Sequence, residues 1–306
     1  MQFKKLFDYL RFQWKVKGIL DTPPVKCDKA SEVASVTQLQ HRDVFLYLIA
    51  IKSFSNFLPL RKVYVLNDGS LTAKDLSILK HCVPDITIMN IVDFRSEKCP
   101  EGGTWERLIA ISKLCQEQYV IQLDSDTITI GDISEIREAV NEQRAFVIGT
   151  YDDQDLESIE NRVEKSNQRI VKSGSKQHVQ IMAEANLDAL PKDVFKSYVR
   201  GCSGFSGFPK AAFNQEYLET ISDKIGQRLG KERWSEWGTE QFASNVVVAN
   251  TSKPIVLPHP KYADCTKYVQ SKTNFIHFIG YCRFRGGKLA NLSLQLIRQL
   301  NQKGLN

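Results

Sequence analysis

Apolar residues along this chain alternate between short strand-like runs and longer stretches with helical spacing. Apolar runs typical of buried strands occupy residues 33–37, 62–66, 86–91 and 119–123. Helical spacing of apolar residues is found at 43–54, 72–82 and 104–118. This order predicts an α/β fold with a mostly parallel central sheet flanked by helices. In such folds, ligands bind at the carboxyl ends of the strands.

The later part of the chain has a less regular pattern. Residues 152–180 are strongly charged and are interpreted as a helix or mobile segment inserted over one face. An amphipathic stretch ending at Leu229 predicts a helix, and Val246–Val248 predict a strand. The final helix is predicted by the spacing of Leu289, Leu292, Leu296 and Leu300.

The first residues predict an amphipathic helix of their own. Its apolar face holds Phe3, Leu6, Phe7, Leu10 and Trp14, and its other faces hold Lys4, Lys5, Arg11 and Lys15. Such a helix either packs on its own domain or lies at a membrane interface, and both alternatives stay open. Residues 21–29, with Pro23-Pro24, are typical of a linker. We therefore expect residues 1–30 to form a basic segment and linker, and residues 31–306 to form a single α/β domain.

Composition and charge narrow the classes of partner. Lys and Arg number 41 against 35 Asp and Glu, and a net charge of +6 favours nucleotides or acidic lipid surfaces. No nucleic-acid-binding module is recognisable. The chain lacks an apolar run near the ~18 residues that a membrane span needs, and it lacks a signal-peptide centre. Seven cysteines without a CxxC pair predict neither a disulfide framework nor a zinc site, and favour a reducing cytoplasm.

Two carboxylates follow the apolar run at 119–123. Asp124 and Asp126 lie at i and i+2. Two such charges ~4 Å apart repel by ~4 kcal/mol at an effective dielectric constant of ~20. A divalent cation turns this repulsion into coordination, because hard cations bind carboxylate oxygens. An acidic turn that caps a helix is the alternative.

A histidine near the end of the chain offers a third ligand. Residues 274–280 predict an apolar strand with His277 inside it. The turn that follows contains Arg283, Arg285, Gly286, Gly287 and Lys288. Arg binds phosphate oxygens in a fork and Lys binds them as a point charge, so this turn suits a diphosphate. Two carboxylates, an imidazole and a diphosphate suit Mn²⁺, with Mg²⁺ less suited to the imidazole. A hydrogen-bonded core histidine is the alternative.

The order of these motifs resembles that of nucleotide-sugar glycosyltransferases of the GT-A fold, most closely the retaining glycosyltransferase family 8. The shared order is a strand, Asp-x-Asp, Ser-Gly, an acid-Gln pair, and His-Phe-x-Gly followed by a cation, over about residues 33–290. The resemblance implies a GT-A (Rossmann-like) domain. It also implies a metal-dependent hexosyltransferase that uses a nucleotide sugar, with UDP as the expected nucleotide.

The resemblance also implies roles for individual residues. The expected metal ligands are Asp124, Asp126 and His277. The expected donor-binding residues, with the cations of the turn included, are Thr37, Gln38, Asp68, Ser203, Gly204, Gly280, Arg283, Arg285 and Lys288. For Thr37, Gln38 and Asp68, an ordinary structural role at a turn is the alternative. The expected catalytic residues are Glu240, Gln241 and Arg107. The chain departs from the family at four places: Glu240 replaces its Asp, Cys202 its Asn, Arg283 its phosphate-binding Lys, and Phe284-Arg285 its Pro-Trp.

The implied reaction leaves the stereochemistry open. A bound cation with Arg283, Arg285 and Lys288 would stabilise the diphosphate leaving group. Glu240 would stabilise an oxocarbenium-like transition state, or would act as the general base if the enzyme inverts configuration. Arg107 would reach the donor, and a solvated helix cation is the alternative for this residue.

The partners and the competing functions follow from the same features. The expected acceptor is a glycan or a lipid-linked sugar, as in bacterial surface polysaccharide synthesis, with a peripheral membrane contact through residues 1–17 and no nucleic acid. One alternative is a sugar-nucleotide nucleotidyltransferase, although residues 38–41 lack the glycine-rich loop with Arg that it needs. The other is a non-catalytic relative that binds nucleotide sugars. The expected location is the cytoplasm, at the inner face of a membrane if the helix binds one.

Overall fold

The computed structural model of the chain describes residues 2–150, 154–173 and 177–303. The helices are α1 Gln2–Val16, α2 Val44–Ser55, α3 Ala73–Cys82, α4 Trp105–Leu114, α5 Ser134–Asn141, α6 Ile159–Ser173, α7 Val179–Glu184, α8 Gln215–Leu229, α9 Lys231–Trp234, α10 Thr239–Ala249 and α11 Lys288–Lys303. The strands are β1 Val33–Leu39, β2 Lys62–Asn67, β3 Ile86–Asn90, β4 Tyr119–Leu123, β5 Thr127–Thr129, β6 Phe146–Gly149, β7 Glu157–Ser158, β8 Ser197–Tyr198, β9 Gly201–Phe208, β10 Ile255–Leu257, β11 Tyr262–Asp264 and β12 Phe275–His277.

The fold class predicted from the sequence is confirmed. The main sheet of the described residues has seven strands in the order β10-β6-β9-β4-β1-β2-β3; it is mostly parallel and is flanked by helices. The chain divides into two compact units. The first contains Met1–Asn90, Gln122–Arg137 and His259–Asn306, and the second contains Ile91–Ile121 and Glu138–Pro258. The division into a segment 1–30 and a domain 31–306 stays a prediction.

In the first unit, the strands β1, β2 and β3 pair in parallel. β1 is buried along almost all of its length, and α2 is the most apolar helix of this unit, with ten of its twelve residues buried. A small second sheet has the order β11-β12-β5. Within it, β12 runs parallel to β11 and antiparallel to β5. This small sheet determines where the metal-ligand candidates lie.

In the second unit, β6 pairs in parallel with β10 and antiparallel with β9. The residues Val246–Val248 lie inside the helix α10, so the strand predicted there is wrong. Three β-branched residues favour a strand only weakly, and a short apolar run does not distinguish a strand from a buried helix segment. Every residue of α10 except Gln241 is buried, so its packing outweighs the local preference.

The predicted helices of the first unit end within a few residues of the observed ones. The helix α3 begins with a capping box, in which Thr72 and Asp75 satisfy each other's backbone N–H groups.

The charged segment at 152–180 contains the helix α6. The predictions for residues 152, 153 and 174–176 lie outside the described residues.

The N-terminal helix is present, but its predicted apolar face does not pack inward. Phe7, Leu10 and Trp14 are exposed, whereas Phe12 and Val16 are buried. The side chains of Phe3 and Leu6 lie outside the described part of α1. The helix therefore docks on its own unit through a face that the sequence analysis did not single out.

One disulfide is present, which the cysteine spacing did not predict. Cys265 and Cys282 are joined, with their Cα atoms 6.5 Å apart. The pairing was not apparent in the sequence because 17 residues separate the two cysteines. They come together because Cys265 follows β11 and Cys282 follows its parallel neighbour β12.

Within the described ranges, no helix combines the length and the apolar character that crossing a bilayer requires.

Candidate functional site

The three predicted metal ligands lie together in the first unit. One ligand atom from each of Asp124, Asp126 and His277 lies within 4.8 Å of the other two. Nε2 of His277 is 3.2 Å from Oδ1 of Asp126 and 3.6 Å from Oδ2 of Asp124. Two carboxylates and an imidazole at this spacing can share one divalent cation.

Strand pairing in the small sheet produces this convergence. The strand β5 starts directly after Asp126, and β12 ends at His277. In the antiparallel register, His277 is the partner of Thr127. The imidazole therefore lies next to the carboxylates although some 150 residues separate them in the sequence. The backbone N–H of Phe278 also donates to the carbonyl of Asp126, at 2.8 Å.

The cluster is buried on one side and accessible on the other. The side chains of Asp126 and His277 are 1% and 8% exposed, whereas that of Asp124 is 26% exposed. Oδ1 of Asp126 is fully buried and makes no well-formed hydrogen bond with the described residues, although the imidazole lies near it. A buried carboxylate oxygen without a well-formed hydrogen bond is energetically costly, and a bound cation would compensate its charge. The donor set therefore fits Mn²⁺.

The guanidinium of Arg283 adds a positive charge directly beside this cluster. Its Nε donates to Oδ2 of Asp126 at 2.5 Å, and its Nη1 is 3.6 Å from Oδ2 of the buried Asp43. Burial alone would raise the pKa of Asp126, but His277 and Arg283 outweigh burial and lower that pKa to about 2. Asp126 is thus a carboxylate at neutral pH, which is the form that binds a cation.

The rest of the cationic turn is close to Arg283, but its members have different surroundings. Gly280, Gly286 and Gly287 have φ angles of 26°, 70° and 69°, so the chain turns here through backbone conformations that favour glycine. Arg285 lines the same cavity as Arg283. The ammonium of Lys288 lies over the ring of Tyr268, 4.1 Å from its centroid.

The residues predicted at the ends of β1 and β2 have structural contacts. The hydroxyl of Thr37 donates to the carbonyl of Leu123 at 2.6 Å, which ties β1 to the residue just before Asp124. Oδ1 of Asp68 accepts from both the N–H and the hydroxyl of Ser70, as in an ordinary turn. The side-chain oxygen Oε1 of Gln38 is buried and accepts no hydrogen bond from the described residues.

A second group of predicted residues comes together in the second unit, around Glu240 on α10. Its Oε2 accepts hydrogen bonds from the hydroxyls of Thr104 (3.0 Å) and Ser203 (3.1 Å). Nη2 of Arg107 is 3.5 Å from its Oε1. Arg107 and Glu240 are 4% and 2% exposed, so Arg107 is not a solvated helix cation.

Gln241 has a defined orientation next to this group. The backbone N–H of Ser203 donates to its Oε1 at 3.3 Å, and its Nε2 donates to Oε1 of Gln180 at 3.0 Å. Ser203 and Gly204 lie on β9, in the part that is mostly buried. The predicted catalytic residues Arg107, Glu240 and Gln241 therefore belong to one hydrogen-bonded neighbourhood.

Three residues that contact predicted site residues were not predicted from the sequence. Asp43 pairs with Arg283, Thr104 donates to Glu240, and Gln180 accepts from Gln241. No local motif marks any of them, because each contact joins elements far apart in the sequence. Only the pairing of those elements in three dimensions could have identified them.

Neither a protein-family model nor a curated protein matches the chain. Solved structures similar to it include the galactosyltransferase LgtC in complex with donor and acceptor sugar analogues, at 10% identity and a TM-score of 0.45, over 87% of this chain and 95% of that chain. The bifunctional glycosyltransferase WbbM is similar at 10% identity and a TM-score of 0.45, over 89% of this chain and 53% of that chain. Mouse xyloside xylosyltransferase 1 is similar at 10% identity and a TM-score of 0.45, over 83% and 98%. Likeness at this level carries no inference about chemistry, which depends on the side chains described above.

Proposed function

We propose that this protein is a metal-dependent GT-A glycosyltransferase of the family 8 type. It would move a sugar from a nucleotide sugar, a UDP-sugar, to a glycan or lipid-linked acceptor. The observation that carries the proposal is the cluster of Asp124, Asp126 and His277 beside Arg283. Those three ligands would hold Mn²⁺, or Mg²⁺, which when bound supplies Lewis-acid stabilisation of a diphosphate.

The chain's own cations would bind the diphosphate. Arg283 and Arg285 line one cavity, and an Arg guanidinium binds two phosphate oxygens at once. Negative charge grows on the bridging oxygen as the glycosidic bond breaks, and fixed cations stabilise that charge where it develops. Arg283 would exchange part of its contact with Asp126 for the phosphate, since both partners compete for the same N–H groups.

The carboxylate of Glu240 is the proposed partner of the reacting sugar. Three polar side chains orient it, so its oxygens have restricted positions. In a retaining reaction, Glu240 would stabilise an oxocarbenium-like transition state together with Gln241. In an inverting reaction, Glu240 would take the proton of the acceptor hydroxyl.

The pathway and the location are also proposals. We propose a role in building a bacterial surface polysaccharide, with the protein in the cytoplasm. In that compartment, the disulfide between Cys265 and Cys282 would be subject to reduction.

The direct test is release of nucleoside diphosphate from a panel of nucleotide sugars with and without Mn²⁺. Turnover should require Mn²⁺, and Asp126→Asn should lower it at least about a hundredfold, since the variant loses a charged ligand. Asp85→Asn removes an exposed carboxylate in the same unit and should have wild-type turnover. Equal turnover of Asp126→Asn and wild type would contradict the proposal. Nucleotide-sugar binding without any turnover would favour the non-catalytic alternative.

A further inference from the structure

The outward face of α1 has three apolar side chains that the described residues leave uncovered. Phe7, Leu10 and Trp14 are 66%, 52% and 78% exposed, and we call them the outward stripe. They lie at i, i+3 and i+7, which places them on one side of a helix. Of the nine exposed large apolar side chains in the described part of the chain, three are therefore on one helix face.

The fold of the unit does not require the outward stripe. α1 is anchored by its opposite face, where Phe12 and Val16 are 3% and 0% exposed. The rings of Tyr9 and Phe12 lie 5.9 and 5.3 Å from that of Phe284, and the Tyr9 hydroxyl donates to the carbonyl of Arg42 at 2.7 Å. At 3.6 residues per turn, this buried face points almost directly away from the stripe. The stripe is thus available to another surface.

Cations border the stripe along one edge. Arg11 and Lys15 lie one turn apart on α1, between the stripe and the buried face. They line a cavity of about 440 Å³ together with Arg283 and Arg285, and Asp8 is the one acid among the described residues that line it. Arg283 is paired with Asp126, so Arg11, Lys15 and Arg285 are the cations that make this edge attractive to anions.

We propose that this face of α1 docks on an anionic phospholipid bilayer. Phe, Leu and Trp on one side of a helix with Lys and Arg beside them are typical of helices that lie in the membrane interface. Trp favours the level of the headgroups, and anionic headgroups attract Lys and Arg. A second copy of this chain fits the face poorly, because the two cationic edges would meet across a symmetric contact. This docking does not depend on the proposed transferase activity.

Co-sedimentation of the full chain with lipid vesicles tests the proposal. Wild type should bind vesicles made of equal parts of phosphatidylglycerol and phosphatidylcholine, and should bind phosphatidylcholine alone at least about tenfold more weakly. The variant F7S/L10S/W14S should lose at least about tenfold of the affinity for the mixed vesicles. The matched control Val171→Ser replaces an 85% exposed apolar side chain elsewhere and should bind like wild type.

Two double variants test how much the cations contribute to vesicle binding. Arg11→Gln with Lys15→Gln should weaken binding to the mixed vesicles by at least about fivefold. Lys224→Gln with Arg228→Gln, two exposed cations of α8, should leave binding unchanged. Trp14→Ser alone serves as a second stripe variant should the triple variant fold poorly, which its melting temperature reports.

Two results would overturn the docking proposal. The first is equal vesicle binding by wild type and by the folded stripe variants. The second is a wild-type dimer, seen by sedimentation velocity without vesicles, that the stripe variants abolish, because a second copy of the chain would then be what covers the face.

Discussion

The buried ion pair between Arg107 and Glu240 contributes to stability and also orients a predicted catalytic side chain. Both side chains are almost fully buried in the second unit, where water cannot compensate their charges. Removing two charges from water costs several kcal/mol each, which their attraction and hydrogen bonds must offset. Thr104 and Ser203 supply those additional hydrogen bonds to the carboxylate. The pair therefore holds Glu240 in one orientation.

We expect Arg107→Met to lower the free energy of unfolding by about 3 kcal/mol, because it removes the guanidinium beside a buried carboxylate. The double variant with Glu240→Met should lose less than the sum of the two single variants, since it removes both charges. Urea unfolding measures these values.

Arg137→Met is the matched control, since Arg137 is 42% exposed and pairs with an exposed Asp132. It should cost less than about 1 kcal/mol. An equally small loss for Arg107→Met would show that its pair with Glu240 contributes little to the fold.

At the scale of elements, the capping box at the start of α3 places a carboxylate, that of Asp75, where hydrogen bonds stabilise its charged form. Oδ2 of Asp75 accepts from the N–H and the hydroxyl of Thr72, and Nδ1 of His41 lies 2.6 Å from it. Burial alone would raise the pKa of Asp75, but the hydrogen bonds from Thr72 and His41 outweigh it and lower that pKa. The carboxylate form therefore stabilises the native state.

The stabilisation by Asp75 should depend on pH with a definite sign. Its pKa is lower in the folded than in the unfolded chain, so its contribution is fully present above the unfolded value of about 3.9 and is lost as the pH falls through the folded value. At neutral pH, Asp75→Asn should lower the free energy of unfolding by about 1 kcal/mol, because the neutral amide lacks the charged acceptor of the hydrogen bonds from Thr72 and His41. The difference between wild type and variant should shrink as the pH is lowered below about 4.

Thermal unfolding of wild type and of Asp75→Asn, from neutral pH to below about pH 4, measures this difference in stability. Asp223→Asn, at a side chain that is 47% exposed, should show little difference from wild type at any pH. A constant difference between wild type and Asp75→Asn at every pH would contradict the assignment.

Elements with strong local signals could be predicted from the sequence, and those determined by packing could not. The strand at 119–123 has the predicted bounds because four of its five residues are apolar or β-favouring and it ends at a charged turn. Val246–Val248 have an equally apolar local pattern and yet lie in a helix. In α1, helical spacing identified the helix, but it did not identify the face that packs, because the more apolar side is exposed.

At the scale of the whole molecule, the candidate site depends on contacts between segments distant in the sequence. The positions of Asp124 and Asp126 could be predicted because they directly follow a strand. Their proximity to His277 was a hypothesis that the pairing of β5 with β12 confirms. The partnership of Arg107 with Glu240 was not predicted, since 133 residues separate them and neither belongs to a motif that names the other.

The central claim is that Asp124, Asp126 and His277 bind one divalent cation. A titration of Mn²⁺ followed by electron paramagnetic resonance, which detects the free ion, tests it without any assumption about substrate. Wild type should bind one ion per chain, and both Asp126→Asn and His277→Ala should weaken binding by at least about tenfold, while Asp85→Asn should bind like wild type. Binding of equal affinity in wild type and in both ligand variants would contradict the account.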